Sequence, residues 1–204
     1  MRAVVLYVCI STFLIACNSR KPSDQQTAAG PVSLRVVHDE RDGTISVFRA
    51  DATEPVVTQN AKADFRPYIH PIAAPDGKGV LTEYSPGHHK HQTGLYWGFT
   101  RVNGRDYFHN PTGEYWKRVS ADVKQDTGTT VKWQTVYDLL DEAGNTVLRE
   151  TQSWSMRAAD GKFFLDLEWR VSETSRLNAT PRISTRASRS RSGWLAIARM
   201  IAST

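Results

Sequence analysis

Cysteine is scarce in this chain: there are two in 204 residues, at Cys9 and Cys17 near the amino terminus. Removal of a leader that ends at Ala16 would take Cys9 away, and lipidation would consume the thiol of Cys17. We therefore expect a mature protein with no free thiol, no disulfide and no cysteine metal ligand.

Several patterns that define large functional classes are also missing from the sequence. After residue 17, no apolar run approaches the roughly 20 residues that a membrane-spanning helix needs. The chain contains no Walker pattern, no glycine-rich phosphate loop and no Gly-x-Ser-x-Gly elbow. These absences argue against nucleotide-dependent chemistry and against serine hydrolysis.

The first 17 residues have the features of an export signal. A positive charge at Arg2 precedes an apolar run over residues 3–16, which is too short to span a bilayer, and Cys17 follows directly. Residues 14–17 resemble the lipobox of bacterial lipoproteins, which implies cleavage before Cys17 and acylation of its thiol. We predict a signal peptide over residues 1–16 and a lipid anchor in the bacterial cell envelope, at the outer membrane facing the periplasm or the cell surface. An ordinary secretory signal is the alternative.

The remainder of the chain divides by composition into three parts. Residues 17–31 are small and polar, which is typical of a flexible tether. Residues 32–173 are numerous enough for one domain with a real core. Residues 174–204 carry six arginines and no acidic residue, and they hold the whole formal excess of positive charge.

The middle part has the alternation of β-strands. Apolar and polar residues alternate with period two, and Asp-Gly and Asn-Gly pairs suited to tight turns separate the alternating segments. Because no stretch has the pattern of a long amphipathic helix, we predict an all-β antiparallel β-sandwich over residues 32–173. Four tryptophans on the alternating segments are expected to pack in the core or on a sheet face: Trp116, Trp133, Trp154 and Trp169.

The basic segment 174–204 lacks this alternation, and we predict a low-order tail. Arginine and serine alternate there without interleaved aromatic residues, which is not typical of a nucleic-acid interface. A shifted reading frame near codon 175 is the interpretation that we favour. A solvated basic arm that contacts anionic lipid is the alternative.

Five of the six histidines lie between residues 70 and 109. Imidazole titrates near neutral pH, so it can move a proton or bind a metal at little cost. Aromatic residues and an arginine are interleaved with these histidines, which indicates a ligand site. We expect His70, His89 and His91 to converge there as acid–base residues, with a set of substrate-binding residues around them: Arg66, Tyr68, Tyr96, Trp97 and Asn103.

Three interpretations of this segment remain open at the level of sequence. Aromatic rings could stack on a sugar while histidines act as acid or base, or the protein could bind carbohydrate without catalysis. His89 and His91 could instead hold a divalent metal, with a third nitrogen from His70 or His109. In the third interpretation the histidines cap loops and the aromatic residues form core.

Motifs in the same segment resemble a bacterial family. Arg-Pro-Tyr-Ile-His-Pro at 66–71, the turn at 75–77, the histidines at 88–91, Gly-Leu-Tyr-Trp-Gly at 94–98 and Val-Asn-Gly-x-Asp-Tyr at 102–107 occur in the order of the PmoA-type "methane oxygenase" proteins. Formally these proteins have a domain of unknown function. The resemblance implies a periplasmic β-sandwich whose ligand is a carbohydrate or another small molecule. Whether the protein is an enzyme, a binding lipoprotein or a metal-dependent oxygenase is left open.

Overall fold

We analysed a computed structural model, which describes residues 30–174, the backbone of residues 188–190 and 193–202, and the side chain of Met200. The predictions for the signal peptide, for Cys17 and for nearly all of the tether therefore lie outside the described residues. None of the described residues belongs to a helix long and apolar enough to cross a membrane.

The described residues form strands and connecting loops, so the prediction of an all-β fold is confirmed. In chain order the strands are β1 Leu34–Asp39, β2 Thr44–Arg49, β3 Pro55–Asn60, β4 Tyr68–Ile72, β5 Leu95–Tyr96, β6 Trp116–Gln125, β7 Thr127–Gly128, β8 Thr130–Leu140, β9 Thr146–Ala159, β10 Lys162–Glu173, β11 Ser188–Ser190 and β12 Gly193–Ala202. They make two six-stranded antiparallel sheets, in the orders β5-β4-β3-β2-β1-β7 and β11-β12-β10-β9-β8-β6.

Period-two alternation determines which face of the long strands is buried. Along β9, Glu150, Gln152, Trp154, Met156 and Ala158 are buried, while the residues between them are more exposed. Successive side chains of a strand point to opposite faces, so this one set faces the first sheet. The prediction that the four tryptophans of these strands are core residues is confirmed, because each is at most 3 % exposed.

The turns follow the expected chemistry. Asp160 and Gly161 connect β9 to β10 with φ values of 52° and 67°. A two-residue hairpin connection with positive φ at both positions matches the twist of the strands that it joins. The pairing of β9 with β10 therefore runs without a break from Lys162↔Ala159 to Glu173↔Leu148.

The two sheets are joined at one end by hydrogen bonds as well as by apolar packing. The hydroxyl of Tyr137 on β8 donates to the carbonyl of Lys62 at 2.7 Å, and the Arg118 amide on β6 donates to the carbonyl of Ala63 at 2.8 Å. Trp116 is fully buried beside them. Burial of such a large apolar side chain stabilises a fold by about 1.5–3 kcal/mol.

Where the structure describes the basic segment, the backbone forms strands, in contrast to the low order that we predicted. Strand β12 pairs with β10 from Phe163↔Ala202 to Val171↔Trp194, and the short β11 pairs with β12. Small and apolar residues occupy successive positions of 193–202, so the strand has no period-two contrast to reveal it. The side chains of Ile183, Trp194, Leu195 and Ile197 lie outside the described residues. The domain boundary at residue 173 and the shifted frame stay predictions.

Candidate functional site

The histidine-rich loop is built on the edge of the first sheet. Strand β4 pairs with β5 through Tyr68↔Tyr96 and Ile69↔Leu95, so the chain returns to this edge after the loop. Gly94 precedes β5 with φ 95°, and a Cβ there would lie 2.4 Å from the carbonyl oxygen of Ile69. Glycine is therefore needed for the loop to approach β4 this closely.

His89 and His91 lie in the turns of a loop and not on a strand. The loop 84–93 is closed by an antiparallel bridge between Tyr84 and Thr93. Within it, the His89 amide donates to the carbonyl of Pro86 at 2.8 Å, and the Gln92 amide donates to the carbonyl of His89 at 3.0 Å. Turn chemistry from Pro86 onwards sets this conformation.

Four imidazoles form a continuous array on this surface, which we call the histidine array. Ring centroids are 4.0 Å apart for His88 and His89, 6.0 Å for His89 and His91, and 4.5 Å for His91 and His109. Partial burial, and then the nearby His109, His89 and Arg66, lower the pKa of His91 below its usual range. Its ring is therefore neutral at neutral pH, able to accept a hydrogen bond or a proton.

Asp106 orients the last member of the array. One carboxylate oxygen accepts from the amides of Phe108 (3.0 Å) and His109 (3.1 Å), and the other lies 2.7 Å from His109 Nδ1. Partial burial raises the pKa of Asp106, but the hydrogen bonds from His109 and Phe108 together lower it below its usual value. Because an ionised carboxylate only accepts, Nδ1 of His109 carries a proton in this contact, and Nε2 is the nitrogen directed away from Asp106. The catalytic set that we predicted did not contain this pair, which only the folded loop reveals.

His70 is separate from the array, contrary to the expected convergence with His89 and His91. Its Nδ1 lies 2.9 Å from the Thr82 hydroxyl, and its ring lies 5.8 Å from that of Tyr84. Burial lowers the pKa of His70. The cause of the separation is the turn at 85–92, which carries the later histidines away from β4.

Arg66 connects the loop that carries His91 to the loop that carries Phe108, from the buried side of the site. Its side chain is fully buried, and its guanidinium donates to the carbonyls of Phe108 and His91 (2.7 Å for the latter) and to the Thr93 hydroxyl at 3.3 Å. The same group stacks 3.7 Å from the centre of the Tyr96 ring. Arg66 therefore positions the loops, and it does not reach the surface where we expected it to bind a ligand hydroxyl.

A concave pocket of about 400 Å³ opens beside the histidine array. Phe108 lies between the two features, with its ring 5.1 Å from Tyr96 and 5.7 Å from His91. The described residues that line the pocket combine aromatic, polar and apolar side chains: Leu81, Thr82, Glu83, Pro86, Gln92, Gly94, Leu95, Tyr96, Phe108 and Met200. We call this the aromatic pocket.

The other predicted ligand-binding residues lie away from this pocket. Tyr68 is buried between the rings of Phe65 and Tyr84, and burial raises its pKa to about 12. Trp97 packs 5.6 Å from Trp154 of the second sheet. Asn103 is at the exposed tip of a turn with φ 49°. Of the five predicted binding residues, Tyr96 is the one that lines the aromatic pocket.

A buried polar layer lies under the site, on the inner face of β9. Gln152 donates to Glu150 at 2.5 Å and accepts from the Trp154 indole at 3.2 Å. Burial raises the pKa of Glu150 to about 7, against the lowering effects of Gln152, Trp169 and Arg66. Glu150 Oε2 has no hydrogen-bond partner of normal geometry. This carboxyl therefore titrates near neutral pH next to the arginine that holds the loops.

A second concavity, of about 550 Å³, lies on the outer face of the second sheet. Ser153 and Ser155 form its floor, with charged side chains such as Lys132 and Glu168 on either side. It is larger than the aromatic pocket but has no exposed aromatic ring. Trp133 and Trp154 contribute to it but are at most 3 % exposed, because their rings face the core.

No metal centre is evident in the part of the chain that the structure describes. Within these residues no group of three or more His, Cys, Asp or Glu side chains could hold a metal ion. His89 and His91, the predicted ligands, are neighbours with ring centroids 6.0 Å apart, but no third ligand joins them.

Comparison with known proteins identifies a family but no activity. The model of a family of unknown function, DUF6807, matches residues 40–197. This match begins near the predicted domain start and extends into the basic segment 174–204. Neither the curated proteins nor the solved structures gave a match. The PmoA-type name stays a prediction, since the description of the matching family does not contain it.

Proposed function

The chain belongs to the family of unknown function DUF6807, and we propose that it binds carbohydrate in the aromatic pocket. The observation that carries this proposal is a surface pocket that combines the rings of Tyr96 and Phe108 with the polar side chains of Thr82, Glu83 and Gln92. Sugars present an apolar ring face and a rim of hydroxyl groups. Aromatic faces and a few placed polar groups complement both parts of such a ligand.

The polar groups of the pocket support this assignment because two of them are not used by the fold. The side chains of Glu83 and Gln92 form no hydrogen bond or ion pair with another described residue. Thr82, in contrast, accepts from the Ile72 amide at 3.1 Å. A free carboxylate and a free amide beside two aromatic rings supply both acceptors and donors for ligand hydroxyls.

Removal of the Phe108 ring is expected to weaken sugar binding at least tenfold, since one ring stacked on a ligand contributes on the order of 1.4 kcal/mol or more. Calorimetric titration of mono- and disaccharides into the wild type and Phe108→Ala measures this effect. Phe164→Ala is the matched control, because Phe164 lies on β10 outside the pocket and stacks on Arg157. Equal losses in both variants, with equal melting temperatures, would contradict the proposal.

Acid–base catalysis at the histidine array, which lies across Phe108 from the aromatic pocket, is the second candidate function, and the His109–Asp106 pair favours it. An imidazole whose tautomer is fixed by an ionised carboxylate can take a proton at Nε2 and return it later in the reaction. The centroid of the neutral His91 ring lies 4.5 Å from that of His109. In this position His91 can accept a hydrogen bond and so stabilise positive charge on the His109 ring. New sugar signals in NMR spectra during the titration would identify turnover, and unchanged spectra would indicate binding alone.

We also propose the envelope location implied by the lipobox-like residues 14–17. Cys17→Ser is expected to move the protein from the membrane fraction to the soluble fraction, because acyl chains stabilise membrane attachment by about 0.8 kcal/mol per buried CH₂. Immunoblots of fractionated cells measure the change, with Cys9→Ser as the matched control. Membrane attachment that persists in Cys17→Ser would contradict the lipid anchor.

A further inference from the structure

We infer that the aromatic pocket selects sugars that carry a free, protonated amino group, and that Glu83 is the residue that selects them. This inference rests on the proposed carbohydrate binding and adds a ligand class to it.

Glu83 is the one charged side chain among the described residues that line the pocket. A ligand that enters therefore meets a single negative charge beside two aromatic rings. A protonated amine placed there gains attraction from the carboxylate and from the ring of Phe108. A uronic acid or a phosphorylated sugar would instead bring a second negative charge close to the first.

The carboxylate of Glu83 is available to a ligand because no other described residue bonds to it. Several acidic residues in other loops are engaged by backbone amides of their own turns: Asp76 accepts from Lys78, Asp106 from His109 and Asp141 from Ala143. Glu83 has no such bond among the described residues, and unlike other acidic side chains without one, it lines the aromatic pocket.

The basic groups near the pocket do not compensate for this charge. Arg66 lies under the Tyr96 ring, fully buried, and its donors are directed to backbone carbonyls and to Thr93. His70 is behind Thr82, and His91 is on the far side of Phe108. Both histidines have lowered pKa values because of burial, so they are neutral at neutral pH. Lys90, an exposed cation of the same loop, donates its ammonium to the carbonyl of Ser85 at 3.3 Å. Among the described residues, no cationic side chain lines the pocket itself.

Four related disaccharides test the inference: β-1,4-linked glucosamine dimer, its N-acetylated form, cellobiose and cellobiouronic acid. At about pH 6, where an amine of this kind is protonated, the glucosamine dimer is expected to bind roughly three- to tenfold more tightly than cellobiose, because the carboxylate is partly solvated. N-acetylation should remove the advantage, and the uronic acid should bind most weakly.

Substitution of the carboxylate identifies the residue responsible. Glu83→Gln is expected to bring the glucosamine dimer to the affinity of cellobiose, and Glu83→Lys should reverse the order of the amine and the uronic acid. Glu114→Gln, an exposed glutamate outside the pocket, is the matched control. If cellobiose binds as tightly as the amine, or if Glu83→Gln keeps the preference, the inference is overturned while sugar binding stands. If none of the four sugars binds, the proposed function itself fails and the inference fails with it.

Discussion

Arg66→Met is expected to destabilise the fold by about 3–5 kcal/mol, since it leaves several buried acceptors without their donors. The fully buried guanidinium donates to the partly buried carbonyls of His91 and Phe108 and to the buried Thr93 hydroxyl. A methionine fills much of the volume but donates nothing. The loops that carry His91 and Phe108 would lose the one side chain that bonds to both.

Urea denaturation followed by tryptophan fluorescence measures this loss. Arg35→Met is the matched control, because Arg35 also stacks on an aromatic ring, 4.1 Å from the centre of Phe48, and donates to one carbonyl, that of Ala52, at 2.8 Å. It is partly exposed, so its loss should cost no more than about 1.5 kcal/mol. Equal effects of the two substitutions would show that Arg66 does not hold the loops.

Stability is expected to fall between about pH 4.5 and pH 7 because of Glu150. Its pKa is raised from 4.5 to about 7 by burial in the folded state, whereas the unfolded chain keeps the ordinary value. Between these two pKa values the folded state therefore binds more protons than the unfolded chain. The stabilisation by the neutral carboxyl is fully present below the pKa that Glu150 has in the unfolded chain. It is lost as pH rises through the folded pKa, by on the order of 3 kcal/mol.

Glu150→Gln isolates this contribution, because the amide stays neutral at every pH. The variant should match the wild type near pH 4.5 and exceed its unfolding free energy by roughly 3 kcal/mol at pH 8. His70 and His91 act with the opposite sign, since their lowered pKa values make the fold less stable as pH falls. Both proteins contain these histidines, so the difference between the two pH curves reports Glu150 alone. Parallel curves would show that Glu150 is not a buried, titrating carboxyl.

The parts of the fold that the sequence predicted are those where one face of a strand is buried. Residues 147–156 alternate without interruption and fall within β9, and Asp160-Gly161 forms the turn to β10. Strand β6 is harder to recognise beyond Trp116, because its burial changes irregularly and the register shifts twice in its pairing with β8. Strand β12 was missed for the reason given above: small and apolar residues follow one another in its sequence without period-two contrast.

The ligand site in the histidine-rich segment stays a prediction, while the structure corrects the expected arrangement of its residues. His89 and His91 lie in the loop 84–93, Tyr96 lies on β5, and Arg66, just before β4, donates to the carbonyl of His91. The sequence could not show that Arg66 is buried, since this depends on carbonyls that only the folded loops present. Nor could the sequence predict the contact between Asp106 and His109. They lie in a turn, where no period-two alternation indicates which side chains meet.

Chemical-shift mapping tests the central claim, that the protein binds carbohydrate in the aromatic pocket, most directly. In amide NMR spectra recorded during titration with the glucosamine dimer and with cellobiose, we expect saturable shifts at Thr82, Gln92, Tyr96 and Phe108. The amide signals of Ser153 and Ser155, on the floor of the second concavity, should not shift. Shifts confined to those two serines, or spectra unchanged at millimolar concentrations of both sugars, would contradict the account.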